Sequence, residues 1–194
     1  MAPRQKKRHR LKAHWAFLDE TGMLMAPLVR RTWARKGRTP ILRQRTNSYK
    51  KVSVIGALTV TPQRNRVGFC FRLHPDANIF TEKVADFLRE LDKQLPGPIV
   101  LLWDRLGPHK SRKMNAFLAK PPDLHPEFFP PCAPELNPAE GVWSYLKLNP
   151  MANDPALQLD DLTRSTRTHA RSVQQKQSLL RGFLKHAALP LRLC

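Results

Sequence analysis

Apolar and polar positions change period several times along this chain, and each change marks an element. Residues 14–19 (HWAFLD) form a short aromatic and apolar run ending in an acid, the pattern of a strand. Residues 23–33 (MLMAPLVRRTW) read as a second strand, weakened by Pro27, which has no N–H to give to a ladder. Residues 51–60 (KVSVIGALTV) are rich in β-branched side chains and residues 67–73 (VGFCFRL) alternate, so the two predict a hairpin across TPQRNR. Over residues 79–95 the period becomes 3.6. Phe80, Val84, Phe87, Leu88 and Leu91 make one apolar stripe, and Pro96-Gly97-Pro98 stops the helix. Residues 98–104 (PIVLLWD) are apolar throughout up to the final acid, as a strand covered on both faces requires. Residues 109–119 predict a helix, 126–130 a short strand, 137–148 a helix and 158–187 a last helical stretch. An antiparallel meander, a helix, a buried strand and alternating later elements predict an α/β fold with a mixed sheet. At 194 residues the chain builds one core, so a single domain is expected over 14–194, after a basic arm at 1–13.

Charge adds a partner to this picture. Lys plus Arg number 34 against 15 Asp plus Glu, a formal net charge of +19 and a pI near 10.8. A polyanion relieves such self-repulsion, and nucleic acid is the first candidate because phosphate contacts release counterions. A structural basic protein of the ribosomal sort fits the same composition. A membrane fits worse: no apolar run nears the roughly 20 residues a span needs, and no basic helix carries an apolar face. No apolar segment follows the basic N-terminus, so no secretory signal is read. The charge comes in blocks. Residues 30–51 carry nine Lys or Arg and no acid, with Gly37 and Pro40 marking a loop or hairpin edge whose Arg35, Lys36 and Arg38 are candidate DNA contacts. No acid follows Asp161. Cys70, Cys132 and Cys194 are odd in number and match no zinc spacing, and they read as buried or terminal thiols in a reducing cytosol.

Acids are scarce, so their positions carry information. Asp19 ends the first strand, Asp104 ends the most apolar one, and Glu140 lies near the start of a helix after the loop PPCAPELNP. In open α/β sheets ligand sites gather at such strand ends. If the three converge, their mutual repulsion calls for hard cations, and Mg²⁺ suits carboxylates plus substrate phosphate oxygens. Two such ions about 3.5–4 Å apart serve an in-line displacement at phosphorus. Each acid also has a plainer explanation. Asp104 fits a turn before Gly107-Pro108, Asp19 fits one beside Gly22, and Asn137-Pro138-Ala139-Glu140 fits a capping box.

The segments FLDETG (17–22), RTWARKGRTP (31–40), VSVIGAL (52–58), IVLLWDRLGPHKS (99–111) and FFPPCAPELNPAEGVWSYLK (128–147) resemble the catalytic domain of the DDE transposases, of the mariner-like bacterial insertion-sequence kind. The likeness covers residues 14–148, and the last segment is the most specific. It implies a ribonuclease H-like fold, a five-stranded mixed sheet flanked by helices. It also implies Asp19, Asp104 and Glu140 as catalytic, metal-binding residues for two Mg²⁺, with Mn²⁺ substituting. The implied activity is cleavage of double-stranded DNA at the element's ends by an activated water. The freed 3′-hydroxyl then attacks target DNA at a TA dinucleotide, with no covalent protein–DNA intermediate. A cytoplasmic, nucleoid-associated setting in a prokaryote follows from the same likeness, as does a homodimer pairing two DNA ends.

Around the triad, His109 stands where the family has a histidine, either contacting DNA or orienting the strand end. Lys110 follows it. Lys147 shares a helix face with Glu140 at a spacing that suits a phosphate contact. Trp143 reads as a core anchor, and Glu20, pointed away from Asp19 by strand alternation, reads as structural together with Glu135. Arg105 departs from the family's usual Asn and is a candidate phosphate contact. The family's N-terminal helix-turn-helix modules have no counterpart in this sequence, so it is expected to be the second half of a split reading frame whose separate chain supplies them, a truncated copy or an excised fragment, and alone to bind DNA with little sequence preference. The alternative reading is a transposase-derived DNA-binding protein without catalysis; the PPCAPELNPAE segment disfavours a resolvase.

Overall fold

The structure, a computed structural model, describes residues 12–42, 50–120, 123–189 and 193. Its centre is a five-stranded sheet in the order β3-β2-β1-β4-β5. The strands are β1 (His14–Leu24), β2 (Lys51–Val60), β3 (Val67–Pro75), β4 (Ile99–Trp103) and β5 (Leu124–Phe128). β1 runs antiparallel to β2 and parallel to β4, and β4 is parallel to β5. This is the mixed sheet the element order predicts. Pro126 sits within β5, an edge strand, where its missing N–H costs no ladder bond.

Helices cover both faces. On one lie α1 (Thr81–Gln94), α2 (Gly107–Lys110) and α3 (Arg112–Leu118); on the other lie α4 (Pro138–Leu148), α5 (Leu159–Gln174) and α6 (Gln177–His186). The period of two along β1 sorts its side chains between two cores. Ala16 and Leu18 pack with Val84, Leu88 and Met114 of the first layer, while Phe17 packs with Val142, Trp143 and Leu146 of the second. β4 is buried at every position, as its unbroken apolar run requires. Each large side chain fully buried in these layers contributes roughly 1.5–3 kcal/mol. No helix among the described residues is long and apolar enough to cross a membrane.

Several predicted elements need correction. Residues 23–33 are not a second strand: β1 itself continues to Leu24, and no strand or helix forms between Met25 and Leu42. Pro27 interrupts the pattern, and the chain is instead tied down by Asn153. Its amide donates to Leu28 O (3.1 Å), its Nδ2 donates to Arg30 O (2.9 Å) and its Oδ1 accepts from Arg30 N (2.8 Å). Beyond that tether the chain is exposed, with Trp33 fully so and a turn closed by Arg38 N on Arg35 O at 3.0 Å. The single helix predicted over 109–119 starts earlier and breaks at the extended Ser111, whose Oγ caps α3 by accepting from Met114 N. The last helical stretch breaks between α5 and α6 at Gln175 and Lys176. The strand predicted at 126–130 lies at 124–128. Of the thiols, Cys70 is half-buried and Cys132 is exposed rather than buried. Most of the arm expected at 1–13, residues 43–49 of the second basic block, and Cys194 lie outside the described residues.

Candidate active site

Asp19 lies near the middle of β1, paired with Gly56 of β2. A Cβ on residue 56 would come within 2.7 Å of the Trp143 ring, so glycine is what lets that indole lie over the strand here. From α4, Trp143 Nε1 donates to Asp19 Oδ2 at 3.0 Å, and the ring packs edge-on against Phe69. Trp143 is thus a core anchor that also holds one carboxylate oxygen. The sequence offered no sign of that second task beyond a tryptophan on the helix that carries Glu140.

Asp104 follows β4 directly. Its Oδ1 accepts from Leu106 N at 2.9 Å, the turn that a plain reading of the sequence expects, and also meets His109 Nδ1 at 2.7 Å. His109 is buried, its Nε2 lies 2.9 Å from Glu20 Oε1, and its ring stacks on Trp103 with centroids 4.5 Å apart. Of the two roles the sequence left open for His109, this burial fits orientation of Asp104.

Glu140 stands in the first turn of α4. Asn137 caps that helix by accepting from Ala139 N, and its Nδ2 donates to Leu18 O at 3.3 Å, tying the helix start to the residue before Asp19. Half of the predicted capping box is therefore present. Asn137 N donates to Pro134 O at 2.9 Å, so the Glu140 carboxylate is not drawn back to cap it.

Asp19, Asp104 and Glu140 line one open cleft, walled on one side by residues 129–134. Burial, and then the neighbouring charges of Glu140 and Glu20, push the Asp19 carboxyl up to about 8, with the Trp143 N–H opposing. Burial works against ionisation of Asp104 as well, but the hydrogen bonds from His109 and Leu106 outweigh it and hold that carboxyl below its ordinary range. Burial likewise opposes charge on His109, and the bonds to Asp104 and Glu20 overcome it, lifting the imidazole to about 9. Among the described residues no three acid, histidine or cysteine side chains close round a single point as a ready-made cage for one ion. The donor set is nevertheless one of hard oxygens. One oxygen of Asp104 and one of Asp19 are held by hydrogen bonds, the carboxylate of Glu140 is exposed, and Asp19 is buried beside the acids Glu140 and Glu20.

The basic candidates divide. Arg105 lines the cleft, with Nε donating to Phe129 O and its guanidinium 5.6 Å from the Phe128 ring. Lys110 is exposed at the end of α2. Lys147 Nζ donates to Thr21 Oγ1 at 2.6 Å and faces a neighbouring apolar pocket rather than the acidic cleft. Arg35, Lys36 and Arg38 lie on the exposed turn after β1 and do not line the cleft. Glu135 is exposed on a short 3-10 turn.

Residues 14–163 match the family described as DDE superfamily endonuclease. An uncharacterized protein of Sinorhizobium fredii (strain NBRC 101917 / NGR234), y4pE/y4sA, is 28% identical over 103 residues, 53% of this chain and 72% of that protein. Among solved structures, the Mos1 mariner paired-end complex with Mn is similar at a TM-score of 0.66 and 14% identity, over 95% of this chain and 55% of that one. The catalytic domain of Mos1 mariner transposase is similar at 0.53 and 9% identity, over 97% of this chain and 90% of that domain. The chain therefore spans about half the length of the Mos1 chains in paired-end complexes. At these identities the likeness shows the fold, the ribonuclease H-like arrangement of a mixed sheet between helical layers.

Proposed function

Because this chain belongs to the DDE superfamily endonucleases, we propose that it is the catalytic domain of a transposase, cutting DNA at the ends of a mobile element and joining them to target DNA. The observation that carries this reading is the cleft, lined by three carboxylate residues from β1, the end of β4 and the start of α4 within a chain of net charge +19. Asp19, Asp104 and Glu140 are the residues that would hold two divalent cations, Mg²⁺ or Mn²⁺; a pair of ions shared among three carboxylates does not need all three round one ion. Bound there, the ions would supply Lewis-acid stabilisation of the attacking and leaving oxygens of an in-line displacement at phosphorus. The chain's own residues prepare that site. Trp143 holds Asp19 Oδ2, His109 and Leu106 N hold Asp104 Oδ1, and Asn137 sets the helix that carries Glu140 against β1. Arg105 lines the cleft wall, where its guanidinium would meet a phosphate. Double-stranded DNA is the partner this chemistry needs. A second copy of this chain, pairing two DNA ends, completes the proposed assembly.

Incubation of the protein with a nicked or element-end duplex, the recognition modules supplied, should show Mn²⁺-dependent cleavage that Asp104→Asn lacks. Equal cleavage by the variant would refute the site. The competing reading, DNA binding without cleavage, draws on Arg105, a cation built into the cleft wall, and it predicts no cleavage by either protein. Binding has its own check. Replacing Arg35, Lys36 and Arg38 together by Ala should flatten the dependence of log affinity on log salt by about 2–3, since each lost phosphate contact removes ~0.9. An unchanged slope would take the exposed turn out of the DNA interface.

A further inference from the structure

Asp19 and Glu20 are consecutive on β1 and so project to opposite faces of the sheet. Asp19 lines the acidic cleft; Glu20 does not. Its side chain is 14% exposed, and its Oε1 lies 2.9 Å from Nε2 of a histidine that is 1% exposed. The other nitrogen of that histidine lies 2.7 Å from Asp104 Oδ1. Carboxylates only accept, so the two bonds form together when the ring presents an N–H at each end. A third constraint comes from Trp103, whose indole stacks on the imidazole at an interplanar angle of 13°. The turn carrying the histidine is itself pinned, because Pro108 O accepts from both Thr81 Oγ1 (3.3 Å) and Ser111 Oγ (3.1 Å).

Resting on the reading of Asp104 as a metal-binding residue, we propose that Glu20 is a positioning residue for the reaction: it clamps His109 from beneath the sheet, and His109 thereby fixes which oxygen Asp104 presents to the cleft. With Oδ1 held by His109 and Leu106 N, Asp104 offers Oδ2 alone, a single oxygen in a set direction. Without Glu20 the imidazole keeps its stacking on Trp103 but loses the partner that fixes its tilt, and Asp104 gains freedom to turn. A buried partner that orients a ligand in this way is typically worth 10–100-fold in metal affinity. Glu20 is no ligand itself, because it does not line the cleft. One oxygen, Oε2, is buried without a hydrogen-bond partner, so the group is held in place chiefly through the histidine.

The test is Mn²⁺ affinity, read by electron paramagnetic resonance as free against bound ion, alongside thermal unfolding of the metal-free protein. Glu20→Ala should weaken Mn²⁺ binding about 10–100-fold, and the isosteric Glu20→Gln, which keeps an acceptor for the histidine, should recover most of it. Cleavage by Glu20→Ala should recover as Mn²⁺ is raised, whereas Asp104→Asn should not respond. Should the Ala variant unfold, Glu20→Met, similar in size but without the carboxylate acceptor, and His109→Gln carry the comparison, both expected to match the 10–100-fold loss. Affinities within twofold of the unaltered protein in Glu20→Ala and His109→Gln, with Asp104→Asn binding no Mn²⁺, would overturn the role of Glu20 and leave the metal site standing. No Mn²⁺ binding by the unaltered protein would overturn both.

Discussion

Asp19→Asn is expected to abolish cleavage, by on the order of 10³-fold or more, and at the same time to stabilise the metal-free protein at pH 8. The first effect follows from removing a residue proposed to hold the cations, whose charge stabilisation is worth several kcal/mol, with each ~1.4 kcal/mol a factor of ten. The second follows from proton linkage. In the unfolded chain this carboxyl ionises near its ordinary value of about 3.9, but in the fold burial and Glu140 hold its proton until about 8. Across that window the folded state binds more protons than the unfolded one, so stability falls as pH rises. Asparagine carries no charge in either state, still offers Trp143 an acceptor, and removes the slope. His109 also makes stability fall with pH: its imidazole is lifted to about 9, so its contribution is whole below about 6.5 and lost as pH rises through 9. It is present in both proteins, and the difference between them isolates Asp19. Calorimetry at pH 5 and 8 without divalent ions should show the variant gaining several degrees on the unaltered protein, at roughly 2–4 °C per kcal/mol for this size. Parallel pH profiles would refute it. Added Mn²⁺ at about 100 times its Kd should stabilise only the unaltered protein, by about 2.7 kcal/mol.

Trp143→Ala should be among the most damaging substitutions in the chain. The indole is 2% exposed, packs against Phe69 and fills the space over Gly56. Truncating such a side chain costs about 3–5 kcal/mol through lost burial and the cavity left behind. Trp143→Phe separates packing from hydrogen bonding. It keeps a ring over Gly56 but leaves Asp19 Oδ2 without its donor, at a cost of about 1–3 kcal/mol for a buried acceptor. Urea unfolding measures both. An Ala variant within 1 kcal/mol of the unaltered protein would show that α4 is held to β1 by other contacts.

The legible parts of this molecule are those where local pattern and tertiary setting agree. The apolar run of β4, the stripe of α1 and the Asn-Pro start of α4 each specify their element without help from distant residues, and Asp104 and Glu140 could be placed from them. The strand predicted at 23–33 failed because its apolar residues belong to two structures. Met23 and Leu24 extend β1, while Leu28 and Arg30 are fastened to Asn153, more than a hundred residues away. Strand alternation correctly sent Glu20 away from Asp19, and for that reason the residue read as structural. What no alternation rule reveals is that α2 returns a histidine to that face. The Trp143–Asp19 bond was hidden in the same way, since it depends on a glycine that acquires meaning only when β2 is paired.

That pairing makes β1 a strand whose alignment cannot drift. A shift of one residue against its neighbours would exchange the two adjacent carboxylates, sending Glu20 towards the indole and Asp19 under the histidine turn. It would also carry Phe17 into the first layer and Ala16 and Leu18 into the second, against the packing of both. The chemistry and the alignment of the sheet are thus one specification, and a misaligned molecule would be silent as well as strained.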